Sequence, residues 1–174
     1  MLSAEGSVAQ SGPAGYLLRD PGMPLDNLSN TLTIFLGANV ACAQCHDHPL
    51  ADWTQREYFE LAAFFGATDV SDRDPRKVGN KLRNEQLSKQ DVIQAVAPNL
   101  ARVRTKSHQT LRFPDDYAYD DVKPGSRVEP LLFIWESGDE KGPAYAVDHQ
   151  NPKNLRASFA QWPVSYTHLT LPTT

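Results

Sequence analysis

The chain has only two cysteines, and both lie in the run Cys42-Ala43-Gln44-Cys45-His46. Two thiols at this spacing, followed at once by an imidazole, form the C-x-x-C-H signature of covalent haem attachment. In that chemistry each thiol adds to one haem vinyl group, and the histidine binds the iron on one face. The segment must therefore fold as a short turn. We expect Cys42 and Cys45 to tether haem c and His46 to be the proximal iron ligand.

Two other interpretations of this motif stay open. A zinc site could use both cysteines with His46 and His48, although structural zinc usually combines one C-x-x-C pair with a distant second pair. The adjacent side chains of Cys45 and His46 also converge poorly on one tetrahedral ion. A redox dithiol or a disulfide would be expected beside a βαβ pattern, which the sequence lacks. Covalent haem is therefore the favoured interpretation.

The residues that would complete a haem site carry weaker signals. Asp47 could orient a neighbouring imidazole, and His48 lies too near the proximal ligand in sequence to reach the opposite face of the ring, so a supporting role is expected for both. The candidates for the distal iron ligand are Met23, His108 and His149. A distal methionine would raise the reduction potential and favour electron transfer, whereas an open position would allow ligand binding or catalysis.

The hydrophobic pattern predicts helices on both sides of the motif. Asp26 is expected to cap a first helix whose apolar residues have the spacing of one helical face: Leu28, Leu32, Phe35 and Leu36. Thr54 and Glu57 form a capping box for a second helix near residues 55–65. A third, short helix is expected to end before Pro98.

Strand-like patterns appear only after residue 100. Ala101, Val103 and Thr105 alternate with basic side chains, and the apolar run 131–135 is typical of a buried strand or a short core segment. The 13 prolines favour loops, because they exceed the average share of about 5%. We therefore predict a mainly α, loop-rich fold with short β-strands in the C-terminal third. The motif adds the expectation of a cytochrome c-like haem-binding domain.

The predicted organisation has five parts. Residues 164–173 resemble one reading frame of an adapter used in transposase-based DNA sequencing, so the natural sequence is expected to stop near Trp162. The parts are a linker or upstream remnant at 1–24, a helical C-x-x-C-H haem-binding domain at 25–98, its β and irregular extension at 99–150, the start of a downstream domain at 151–162, and an adapter artefact at 163–174.

Charge and hydropathy exclude two classes of partner. The net charge is −4 and the isoelectric point is near 5.7, which argues against nucleic-acid binding. No apolar run approaches the ~20 residues that a membrane-spanning helix needs. We therefore expect neither a nucleic-acid partner nor a membrane span.

Several runs of this sequence resemble one family, the planctomycete cytochrome-type domain of unknown function. The resemblance extends from Asn27 through Cys-Ala-Gln-Cys-His-Asp-His-Pro at 42–49 and on through 53–59 and 62–65. The later run 111–125 is similar to the stretch between domains in that family, and 154–162 resembles the opening of its next domain. Leu50 departs from the family, where an aromatic residue is common.

The resemblance implies a large extracytoplasmic protein with a cytochrome c domain upstream, and it supports the same three haem contacts. We therefore expect a c-type haem electron-transfer module whose partner is a redox protein or a neighbouring cytochrome domain of the same polypeptide. Bacterial c-type haem is attached outside the cytoplasm, so the periplasm or cell surface is the expected location. No catalytic motif is present, and no catalytic activity is expected of this fragment. The alternative is a non-haem metal-binding or structural interaction module of a cell-surface protein.

Overall fold

The computed structural model of the chain describes residues 1–8, 11–71, 88, 90, 101–135, 141–145 and 151–165. Its helices are α1 (Pro24–Leu36), α2 (Gln55–Ala62) and α3 (Pro152–Ser165), with 3-10 turns at Gly12–Leu18, Ala41–Gln44 and Ala63–Phe65. Its strands are β1 (Gly6–Ser7), β2 (Thr68–Ser71), β3 (Arg102–Thr105), β4 (Leu132–Trp135) and β5 (Lys141–Tyr145). The predicted third helix before Pro98, like His149, lies outside the described residues.

Helix α1 leads into the cysteine motif. It begins at Pro24, whose missing N–H costs nothing in the first turn, so the prediction of Asp26 as the N-cap was wrong. Leu28 and Leu32 are buried as the pattern predicts, but Phe35 is exposed. Gly37 ends the helix with a left-handed φ of 66°, a conformation that glycine adopts without steric cost. The chain can therefore turn directly towards the motif.

Helix α2 confirms the prediction made from its capping box. The Thr54 hydroxyl accepts a hydrogen bond from the Glu57 amide at 3.2 Å, and the Glu57 carboxylate accepts one from the Thr54 amide at 2.9 Å. Two otherwise unpaired donors at the helix start are thereby satisfied. The 3-10 turn that follows carries Phe64 and Phe65 into the core.

Two small antiparallel sheets accompany the helices. The first has the strand order β1-β3-β2 and places Val103 opposite both Gly6 and Val70. The second pairs β4 with β5. Strands were predicted only in the C-terminal third, but β1 and β2 belong to the first 71 residues. They are too short for a period of two to stand out in the sequence.

Helix α3 closes the core over the 3-10 turn after α2. The Phe159 ring lies 5.8 Å from that of Phe64 and 5.1 Å from that of Phe65, measured between ring centres. The Trp162 indole donates a hydrogen bond of 2.6 Å to the carbonyl of Phe133. The segment 151–162, predicted from the sequence to begin a downstream domain, thus packs on the same core in the structure.

The fold prediction was therefore wrong in its main point. The described residues form helices packed with two antiparallel sheets, and the expectation of a mainly α, cytochrome c-like haem-binding domain is not supported. The first sheet unites segments that are far apart in sequence, and helical periodicity gives no sign of such pairing. None of the helices in the described ranges is both long and apolar enough to cross a membrane.

Candidate functional site at the cysteine–histidine turn

The two cysteines occupy the exposed edge of a 3-10 turn. This turn, Ala41–Gln44, is closed by a hydrogen bond of 3.3 Å from the Cys45 amide to the Cys42 carbonyl. Side chains three residues apart lie one above the other in a 3-10 helix. Val40 and Ala43 are buried in the core, whereas Cys42 and Cys45 are free thiols exposed to solvent. The buried side chains of Val40 and Ala43 thus hold the turn against the core, and both thiols remain accessible on one edge.

His46 follows the turn with an exposed ring whose Nδ1 lies 2.6 Å from the carbonyl oxygen of Asp47. A carbonyl can only accept, so Nδ1 carries the hydrogen and donates. In the neutral ring the lone pair then belongs to Nε2. A backbone carbonyl on one ring nitrogen is a common way to orient a histidine that binds metal through the other. His46 therefore has the tautomer of a ligand that binds through Nε2.

His48 has the opposite tautomer. Its Nδ1 accepts a hydrogen bond of 3.2 Å from the Leu50 amide, so Nε2 carries the hydrogen and donates to the carbonyl of Asn39 at 3.1 Å. The His48 amide also donates to the carbonyl of Trp53 at 2.7 Å. With both ring nitrogens engaged by the main chain, His48 braces the loop after the turn and has no nitrogen available for a metal.

Asp47 connects the motif to helix α2 and to the segment that follows β3. Its carboxylate accepts a hydrogen bond of 2.8 Å from the Gln55 amide in the first turn of α2, where the helix dipole favours a negative charge. Its amide donates to the Tyr119 hydroxyl at 2.8 Å. The carbonyl of Asp47, and not its carboxylate, thus contacts the imidazole of His46.

Gln55 is the structural residue of this site that sequence reasoning missed. It is only 2% exposed, and its amide nitrogen donates to the carbonyl of Gln44, between the two cysteines, at 3.1 Å. Its amide oxygen accepts from the Ala118 amide at 3.1 Å. The only signal in the sequence is a glutamine next to the N-cap Thr54, and this position does not reveal that the side chain is buried.

A groove of about 500 Å³ lies beside the motif. We call it the acidic groove, because five carboxylate residues line it against one arginine. Leu131 and Phe133 add apolar side chains to the lining. Its lining residues are Asp47, Thr54, Arg56, Glu57, Glu60, Tyr117, Tyr119, Asp120, Asp121, Leu131 and Phe133. Asp47, whose amide bonds to Tyr119, joins this groove to the turn.

Two buried groups in the acidic groove have shifted pKa values. Burial raises the pKa of Glu60, although its carboxylate accepts a hydrogen bond of 2.8 Å from Arg56. Burial and the neighbouring Asp121 carboxylate raise the pKa of Tyr117. The Tyr117 hydroxyl is buried without a hydrogen bond of good geometry, while its ring packs 5.2 Å from that of Phe113. The acidic segment 115–121 is thus an exposed turn that Tyr117 anchors.

The distal candidates are not brought to the motif in the described residues. Met23 is 51% exposed at the start of α1 and lines a different cavity with Phe65 and Thr110. His108 is exposed, and its Nδ1 lies 3.0 Å from the Ser107 hydroxyl. His149 lies outside the described residues. Within the part of the chain that the structure describes, no three side chains of the His, Cys, Asp and Glu types are grouped to hold a metal ion.

The comparisons with known proteins concern the part of the chain that contains this site. Residues 21–70 match the family model PSCyt2, described as a protein of unknown function (DUF1549). This match includes α1, the cysteine–histidine turn and α2. No curated protein and no solved structure matches the chain. The resemblance stated from the sequence is therefore confirmed in its coarser form: residues 21–70 are similar to a domain of unknown function.

Proposed function

We propose that the turn at Cys42–His46 attaches haem c and that the chain serves as an electron-transfer module of an extracytoplasmic multidomain protein. The observation that carries this proposal is the set of donor groups at the turn. Both thiols are free and exposed, and His46 has its Nδ1 engaged by a carbonyl. Its Nε2 is therefore the nitrogen that would bind iron.

This donor set fits covalent haem better than it fits zinc. Attachment of haem c needs two accessible thiols and one imidazole nitrogen, each acting on a different atom of the cofactor. Zinc needs four donors that converge on one ion, and the described residues contain no such group. His48 could not be the fourth ligand without losing at least one of the two main-chain hydrogen bonds of its ring. The haem attached here would supply a one-electron iron couple.

The chain's own residues would hold such a group in a fixed position. Cys42 and Cys45 would form the thioethers, and the Asp47 carbonyl would make the ring of His46 a more basic ligand. Gln55 would hold the turn against α2 through the Gln44 carbonyl. Met23 and His108 lie elsewhere, so of the three distal candidates only His149, outside the described residues, is left, beside an open distal position.

The acidic groove supports a redox partner with a basic face. It has five carboxylates against one arginine and adjoins the turn through Asp47. A concentration of one sign of charge steers an oppositely charged partner and fixes its orientation. The partner we propose is a redox protein or a neighbouring cytochrome domain of the same polypeptide, docked with Lys and Arg side chains over this groove.

The test is to export the chain to the periplasm of cells that carry a c-type haem maturation system. We expect the denatured protein to keep a covalent chromophore, visible by haem staining of a denaturing gel and by its pyridine haemochrome spectrum. The double variant Cys42→Ser, Cys45→Ser should lose it. His46→Gln should change the spectrum of the native protein, whereas the matched control His108→Gln should not.

One outcome would overturn the proposal: a folded, colourless wild-type protein from cells in which a reference cytochrome c is matured. That result would favour the second candidate function, a structural interaction module. The acidic groove is the observation that favours this alternative, because it can dock a basic partner whether or not haem is present. A colourless protein that binds zinc would instead indicate a metal site at the turn.

A further inference from the structure

A second cavity, of about 180 Å³, lies between α1, the start of β2 and the residues after β3. We call it the α1–β2 cavity. Its polar lining includes Asn27, Thr68, Lys106 and Arg112, and its apolar lining includes Phe65 and Leu111. It shares no lining residue with the acidic groove. A ligand bound in this cavity would therefore not depend on haem attachment.

Two residues of this lining each have a buried polar atom without a hydrogen-bond partner. Asn27 is 2% exposed, and its amide nitrogen donates to the carbonyls of Asp20 at 2.9 Å and Met23 at 3.1 Å. These two bonds fix the orientation of the amide, so the unpaired atom is the oxygen Oδ1. Thr68 is 7% exposed, and its hydroxyl is likewise unpaired. Such atoms are rare in folded proteins and call for a partner.

The same cavity is lined by two cationic residues and by no acidic residue. Lys106 directly follows β3, and its amide donates to the carbonyl of Ala67 at 2.7 Å. Arg112 donates through Nη1 to the carbonyl of Gly125 at 2.9 Å, which leaves its other N–H groups for a ligand. The charge of these lining residues therefore favours an anion as the ligand.

The lining specifies more than charge. Asn27 Oδ1 can only accept, so the ligand must offer it a hydrogen-bond donor. Phe65 and Leu111 form an apolar wall that suits carbon atoms. The volume corresponds to about six water molecules, or to a compact acid of about three or four carbons. An anion that combines hydroxyl groups with a short carbon chain meets all of these conditions.

We propose that the α1–β2 cavity binds a small hydroxycarboxylate, with the carboxylate on Lys106 and Arg112 and a hydroxyl group on Asn27 Oδ1 and the Thr68 hydroxyl. The ligand supplies the donor that Asn27 lacks and lies with its carbon chain against Phe65. Met23, at the rim, is a residue of this site and not of the cysteine–histidine turn.

The test uses the full chain and D-glycerate as the probe, with binding followed by calorimetry and by the thermal unfolding midpoint. Acetate lacks the hydroxyl groups, glycerol lacks the charge, and inorganic phosphate lacks the carbon chain. We expect glycerate to bind more tightly than each of these three. Thr68→Val and Lys106→Met should each weaken glycerate binding by about fivefold or more. Lys123→Met, a matched change at an exposed lysine outside the cavity lining, should leave binding unchanged.

Thr68→Val also provides a control on folding. Valine has the shape of threonine and removes an unpaired hydroxyl, so the ligand-free variant should be at least as stable as the wild type. If it nevertheless fails to fold, Lys106→Met still decides the question. The proposal is wrong if glycerate does not bind at millimolar concentration, if acetate or phosphate binds as tightly, or if Lys106→Met leaves binding unchanged. The haem-free double cysteine variant should bind glycerate as the wild type does.

Discussion

The side-chain amide of Gln55 donates a hydrogen bond of 3.1 Å to the carbonyl of Gln44, the residue between the two cysteines. This contact joins the first turn of α2 to the exposed cysteine–histidine turn. The other end of the same amide accepts from Ala118, in the acidic segment. One buried glutamine thus fixes the position of the turn relative to the acidic groove.

Gln55→Leu should lower the free energy of unfolding by about 1–3 kcal/mol, because it leaves the Gln44 carbonyl and the Ala118 amide without their partner. Urea denaturation measures this difference. Gln161→Leu, at an exposed position of α3, is the control and should change stability by less than about 0.5 kcal/mol. Equal effects of the two substitutions would show that Gln55 does not hold the turn. Gln55→Leu should also reduce the yield of haem-attached protein under the proposed function.

The two histidines of the motif should differ in tautomer and in their effect on stability. Nitrogen-15 NMR of the haem-free protein should find the hydrogen on Nδ1 of His46 and on Nε2 of His48. His48→Gln should destabilise the protein by about 1 kcal/mol, since it removes two loop contacts. His46→Gln should cost less than about 0.5 kcal/mol, because the ring is exposed. The same tautomer at both positions would contradict this assignment.

The buried Glu60 should lower the free energy of unfolding as the pH rises above the ordinary pKa of a glutamate. Its pKa is raised in the folded state, so the native protein holds this proton at pH values where the unfolded chain has lost it. The stability that this bound proton gives the native state is therefore lost as the pH rises from the ordinary pKa to the raised one. Glu60→Gln should remove this dependence, and its stability relative to the wild type should improve from pH 4 to pH 7. Urea denaturation across this range, with the exposed Glu129→Gln as control, measures the slope. A constant difference between Glu60→Gln and the wild type would contradict the shift.

The local elements near the motif could be predicted because their signals are local. The capping box of Thr54 and Glu57 identifies the start of α2, and Gly37 marks the end of α1. The 3-10 turn itself follows from the spacing of its cysteines, with the apolar Val40 before them and Ala43 between them. Each of these features depends on residues a few positions apart.

The features that depend on distant residues could not be predicted. Val103 pairs with Gly6, which lies 97 residues earlier in the sequence, and a two-residue strand has no detectable periodicity. Buried polar side chains are equally hard to predict. Gln55 and Asn27 bond to main-chain groups, which carry no side-chain signature in the sequence. Met23, one of three candidates for the distal ligand, lies at another cavity beside Phe65 and Lys106, residues that are distant in the sequence.

Arg156 should be among the most sensitive positions for stability, because it is buried and ties helix α3 to the N-terminal segment. Its guanidinium donates to the carbonyls of Leu2 at 3.1 Å and Ala4 at 3.0 Å, and to the Glu5 carboxylate at 3.0 Å. Burial lowers the pKa of Arg156, which indicates a desolvated cation whose contacts must compensate. Arg156→Met should cost about 3 kcal/mol or more in urea denaturation.

Glu5→Gln tests whether the main-chain contacts of Arg156 carry most of that stabilisation. The Glu5 side chain is half exposed, and its replacement leaves the two carbonyl partners of Arg156 in place. This substitution should therefore lower the free energy of unfolding by less than about 1 kcal/mol. Arg127→Met, at an exposed arginine, should have little effect. If Arg156→Met costs no more than Glu5→Gln, the contacts with Leu2 and Ala4 do not hold α3 on the core. If it costs several times more, the segment 151–162 is part of the cooperative unit that contains the cysteine–histidine turn.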